Sequence, residues 1–147
     1  MKNSNLFNQD TFYKQFVRDL AQARHEVIIE SPFITTRRMT ILLPIFTKLR
    51  RRDVLIIINT RNPIEHDGDY YHQALEAVVT MQEMGVIVLY TVGHHRKLAI
   101  IDRSVFYEGS LNIMSFNDSC EIMRRVASTT EAKRLLKFIG IKNYARR

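Results

Sequence analysis

The sequence predicts an α/β domain in which a mixed central β-sheet is sandwiched between helices. Three observations lead there. Helical and strand periodicities alternate from Phe12 to Tyr90. The run Val54–Ile58 is wholly apolar and rich in β-branched residues, as in a strand covered on both faces. After Leu98, short β-rich runs follow one another across brief polar connections, which places adjacent strands beside the earlier ones.

Phe12, Phe16, Val17, Leu20 and Ala23 recur at helical spacing, with Asp10 or Thr11 available as N-cap. Glu26–Glu30 reads as a buried strand stopped by Ser31-Pro32, because proline disfavours helix at the residue before it. A second helix opens at Thr36 or Thr40 and runs through Leu42, Leu43, Phe46 and Leu49. Pro44 must then sit in its first turn or mark a kink. Val54–Ile58 is the next strand, and residues 59–69 read as a polar loop. Tyr71, Leu75, Val78, Val79 and Met81 form a helical stripe closed by Gly85, a natural left-handed stop. Strands follow at Val86–Tyr90, Leu98–Ile101, Val105–Tyr107 and Ile122–Ala127, then a helix from about Thr130 to Phe138.

The 147 residues suffice for one hydrophobic core, so a single domain spanning 1–147 is expected. No apolar run approaches the roughly 18 residues of a membrane span, and the first ten residues lack the apolar core of a secretory signal; the expectation is a cytoplasmic protein. The lone Cys120 can form no internal disulfide and is expected as a small buried residue. Neither HExxH nor paired Cys/His spacing occurs, so no metal and no other cofactor is expected. The formal charge of +7 favours a polyanionic partner, nucleic acid or anionic lipid.

The chemistry concentrates between Gly93 and Glu121. His95-Arg96-Lys97-Leu98-Ala99-Ile100-Ile101-Asp102 fits HxKxxxxD, and Gly109-Ser110-Leu111-Asn112 follows. His95 and Lys97, two apart, project to one side at the start of an extended segment, whose apolar run carries Asp102 to its far end. A neutral imidazole, an ammonium, a hydroxyl and an amide are what a phosphodiester needs: a nucleophile beside groups that meet the charge developing on its oxygens. Other histidines, His25, His66, His72 and His94, read as structural or surface groups.

The HxKxxxxD and GSxN pair resembles the signature of the phospholipase D superfamily. That resemblance implies an α-β-α sandwich and metal-independent phosphodiester chemistry. It implies that His95 attacks phosphorus to give a phosphohistidine, that Lys97 and Asn112 hold the nonbridging oxygens, and that Ser110 assists. Glu121 matches the acidic residue that fixes the histidine tautomer in related nucleases, and Asp102 is expected to orient its loop rather than react. Large members carry two such motifs; this chain has one, and resembles the short bacterial endonucleases that join two copies in a homodimer with a shared active site, the alternatives being a domain of a longer protein or pairing with a different chain.

The leading expectation is a nuclease acting on DNA, or else RNA, with Arg37, Arg38, Arg61 and Arg124 as foremost phosphate contacts and Arg50, Arg51, Arg52 and Arg125 as further ones. The runner-up is a phospholipid hydrolase or phosphatidyltransferase of the same superfamily. A catalytically silent nucleic-acid-binding module is the third reading, against which the intact histidine nucleophile argues.

Overall fold

The computed structural model describes residues 3–141. Seven strands form one mixed sheet in the order β1-β7-β6-β5-β2-β3-β4. In chain order these are β1 (Ser4–Asn8), α1 (Phe12–Ala21), β2 (Glu26–Glu30), α2 (Thr36–Arg51), β3 (Leu55–Thr60), α3 (Gly68–Glu83), β4 (Ile87–Tyr90), β5 (Leu98–Ile101), β6 (Val105–Gly109), β7 (Ile122–Ala127) and α4 (Thr129–Ile139). A short 3-10 turn, Pro63–Glu65, precedes α3. Strands β2, β3 and β4 run parallel, whereas β5, β6, β7 and β1 pair antiparallel.

Alternation within each strand divides the core. Val27, Ile29, Ile56, Ile58, Ala99 and Tyr107 face α1, α2 and α3, which bury Phe12, Phe16, Leu20, Leu42, Phe46, Val78 and Met81 against them. Ile28, Ile57, Leu98, Ile100, Phe106 and Val126 point the other way, toward Ala132 and Leu136 of α4. The sheet is therefore covered on both sides, as the apolar β-branched runs required.

Local chemistry explains several boundaries that differ from expectation. Thr11 occupies the N-cap position of α1 without capping it, because its hydroxyl is tied to Asn8. Helix α2 opens at Thr36, the earlier of the two expected starts, behind Thr35, whose side chain accepts the Arg38 amide, and Pro44 therefore lies in its interior and not in its first turn. Pro44 cannot donate to the preceding turn, so the helix lacks one backbone hydrogen bond there. Asn59 and Thr60, assigned from sequence to a loop, extend β3 and are buried. The N-terminal strand β1 has no sequence signal: it is a short edge strand with Leu6 exposed, and pairs only with β7. Cys120, expected inside, is exposed in the connection to β7.

Candidate active site

Antiparallel pairing brings separated motifs to one edge of the sheet. The start of β5, the end of β6 and the start of β7 share that edge: the Gly109 amide donates to Lys97 O (3.3 Å) and the Ser110 amide to Ile122 O (2.9 Å). Glu30 pairs with Leu98, so the carboxyl ends of the parallel strands lie there too. Ligands of open α/β sheets commonly bind at such strand ends.

Glycine is required at position 109. A Cβ there would lie 2.1 Å from Ile122 O and 2.9 Å from Met123 Cα. The close approach of β7 lets Ser110 sit in a reciprocal arrangement with Ile122, whose amide donates to Ser110 Oγ (3.0 Å).

His95, Lys97, Ser110, Asn112 and Glu121 line one open cleft of about 920 Å³, with Arg96, Glu108 and Arg124 beside them and an apolar wall of Leu135, Phe138 and Ile139. His95 is exposed, and Lys97 Nζ donates to the His95 carbonyl oxygen (2.8 Å). Burial lowers the Lys97 pKa, opposed by Glu121 and assisted by Arg61. Asn112 carries a buried Oδ1 with no partner among the described residues. Ser119 Oγ donates to Glu121 Oε2 at 2.5 Å. The Ser110 and Ser119 hydroxyls hold the Glu121 carboxyl below its ordinary range; burial opposes them and Lys97 adds to the lowering. No hydrogen bond between Glu121 and His95 occurs among the described residues, so within one chain Glu121 is engaged by serines rather than by the imidazole.

Asp102 lies outside the cleft, at the opposite end of β5. Its carboxylate accepts the amide hydrogens of Arg24 (2.9 Å), His25 (2.8 Å) and Glu26 (3.0 Å). Asp102 and Arg103 both have positive φ, 53° and 52°, and the Ser104 amide closes the turn on Ile101 O. This is the primed geometry that suits a tight hairpin, and Asp tolerates it better than most residues. The aspartate of the motif thus anchors the entrance of β2 to the exit of β5, a contact made 77 residues apart and invisible in the spacing.

The arginines divide. Arg50 donates to the carbonyls of Met84 and Val54, Arg52 to those of Ala21 and Ala23, and Arg125 pairs with Asp19 at 2.7 Å. These three have partners within the fold. Arg124 lines the cleft while donating to Ser4 Oγ. Arg61 donates to the His94 carbonyl oxygen (2.7 Å) and lies over Phe33. Arg37 stacks on Phe116; Arg38, over Tyr13, borders a smaller pocket that shares Asn112 and Glu121 with the main cleft.

Residues that sequence reasoning missed are Glu30, Asn59 and Arg96. The Glu30 side chain is fully buried, bridged by Arg96 Nε at 2.7 Å and by Asn59 Nδ2 at 2.8 Å. The signal in the sequence was a carboxylate ending an apolar strand. Among the described residues no group of three or more His, Cys, Asp or Glu side chains is arranged to hold a metal, and no helix is long and apolar enough to cross a membrane.

This fold and motif set define a phospholipase D-like domain. The family model described as "Cardiolipin synthase, PLD-like domain" matches residues 16–140, and the chain belongs to that family. Among solved structures it is similar to Nuc of Salmonella typhimurium, a phospholipase D family member, with a TM-score of 0.74 at 12% identity, covering 92% of this chain and 90% of that one. NucT of Helicobacter pylori aligns with a TM-score of 0.64 at 16% identity over 97% and 92% of the two chains. TrmBL2, an archaeal chromatin protein, aligns with a TM-score of 0.65 at 9% identity, covering 98% of this chain and 53% of that one. At these identities the likeness is one of fold. No curated protein matches the sequence.

Proposed function

We propose that the protein is a metal-independent nuclease that cleaves DNA, with RNA as the second candidate, at a site completed by a second copy of the chain. The observation that carries this reading is the convergence of His95, Lys97, Ser110, Asn112 and Glu121 on one cleft beside Arg124. An imidazole nitrogen of His95 attacks phosphorus while the P–O bond to the leaving group breaks. Lys97 and Asn112 stabilise the charge on the nonbridging oxygens. The leaving oxygen needs a proton, and one chain supplies a single histidine of this motif; His95 of the second copy donates it, then activates the water that hydrolyses the phosphohistidine. The open cleft is flanked by exposed Leu6, Ile122 and Phe138, apolar surface continuous with the incomplete site and suited to a second copy. The net charge of +7 supports a polyanionic substrate.

A phospholipid substrate is the second reading, and the apolar wall formed by Leu135, Phe138 and Ile139 favours it. Incubation of the protein and its His95→Ala variant with labelled DNA, RNA and anionic phospholipid vesicles in excess EDTA separates the readings. Cleavage of nucleic acid that EDTA spares and His95→Ala abolishes is expected. Turnover of lipid alone would transfer the assignment, and absence of all three activities would refute it.

A further inference from the structure

We infer that Glu30 is a positioning residue for the segment that carries His95 and Lys97, acting through its buried ion pair with Arg96. The connection between β4 and β5 is held at four residues by the carboxyl ends of β2 and β3 and the turn after them. The Thr91 amide donates to Thr60 O (3.0 Å) and its hydroxyl to Asn59 Oδ1 (2.9 Å). The Gly93 amide donates to Glu65 Oε1 (3.0 Å), and the His94 carbonyl accepts from Arg61 (2.7 Å). Arg96 then reaches Glu30, with Nε at 2.7 Å from Oε1 and Nη2 at 3.0 Å from Oε2.

His94 is buried, and Arg96 reaches Glu30 from the wall of the cleft that His95 and Lys97 also line, so the ion pair fixes the backbone between those two residues. Of the attachments in this connection, only the last joins two full charges. Its carboxylate is completely buried, whereas its guanidinium stem is 43% exposed. Burial raises the Glu30 pKa, and Asn59 and Arg96 oppose that rise. A buried ion pair is weak evidence for stability, since its desolvation offsets most of its attraction. What it does provide is one defined geometry. Asn59, bonded both to Glu30 and to Thr91, couples the two ends of the connection through the same carboxylate.

The inference rests on the nuclease reading for its kinetic arm and is independent of it for its spectroscopic arm. Glu30→Gln keeps the side chain's shape and removes its charge, Arg96→Met removes the cation, and the double variant, which leaves no buried charge unpaired, guards against a single variant that fails to fold. With the wild-type protein cleaving DNA, each single variant is expected to lower kcat at least about tenfold, with KM and the salt dependence of binding nearly unchanged. The double variant should be no slower than the slower single, because both substitutions break the same contact. The His95 ring resonance in a ¹H–¹⁵N spectrum, read without substrate, is expected to move or broaden in both variants while the amide spectrum stays folded. A folded Glu30→Gln protein with wild-type kcat overturns the inference, as does an unchanged His95 resonance in both variants. A multiplicative loss in the double variant, or a raised KM in Arg96→Met alone, overturns it by giving Arg96 its own contact with substrate. If the wild type cleaves nothing, the nuclease reading fails and the ring resonance alone decides the positioning role.

Discussion

Removing the Asp102 carboxylate tests whether the last residue of the motif works in the chemistry or in the fold. Three backbone amides, those of Arg24, His25 and Glu26, donate to it at 2.8 to 3.0 Å. A hydrogen bond to a charged group contributes roughly 1.5–3 kcal/mol when buried, and partial exposure of the first two amides reduces that. The expected cost of Asp102→Ala is therefore about 3 kcal/mol. In a domain of this size each kcal/mol moves the melting temperature by about 2–4 °C, which gives a fall of roughly 6–12 °C. Asp102→Asn retains one acceptor oxygen and should lose about half as much. The assay is urea unfolding of wild type and both variants, with nuclease activity measured well below each transition. Activity per folded molecule should stay within a few fold of wild type, because Asp102 lies at the end of β5 remote from Lys97. An Asp102→Asn protein of unchanged stability and abolished activity would refute this reasoning and return the residue to the catalytic step.

Refolding equal amounts of wild type and His95→Ala together should leave about one quarter of wild-type specific activity if two chains share a site; about one half would show that each chain carries a complete one. Nucleic-acid binding should weaken log-linearly as salt rises, and a flat response in a filter-binding series would remove the arginine contacts. Gly109→Ala, forced against Ile122 O and Met123, should lose about 1–3 kcal/mol in denaturant unfolding and disproportionately more activity, since Ser110 follows it; unchanged values would contradict the close approach of β6 and β7. His94 is 3% exposed and its pKa is lowered from 6.5 to about 4, first by burial and then by Arg96 and Arg61. The unfolded chain therefore binds a proton that the folded chain refuses, and stability from this group, present above pH 6.5, is lost as pH falls toward 4. The loss is at most about 3 kcal/mol. Glu30, shifted upward, opposes it slightly at the acid end, so the comparison is with His94→Leu, whose unfolding curve should be flatter over that range. Parallel curves would place the acid sensitivity elsewhere.

What the sequence determined by itself follows from local patterns. The apolar β-branched runs in β2 and β3 read as buried strands, and the short connections from β5 to β7 as adjacent ones; that β5 to β7 pair antiparallel is seen in the structure. That His95, Lys97, Ser110 and Asn112 share one cleft was legible because the motif keeps them near each other along the chain. Glu121 was legible only as a resemblance, and its serine partners were not. Tertiary structure alone decided the rest, because the deciding contacts join residues far apart in sequence. Asp102 meets the amides at the start of β2, Arg96 meets Glu30, and Arg50, Arg52 and Arg125 meet carbonyls and a carboxylate that no spacing rule connects to them. Edge strand β1 escaped for a related reason: it gains its conformation from pairing with β7, while its own side chains, exposed at Leu6, carry no alternation to read.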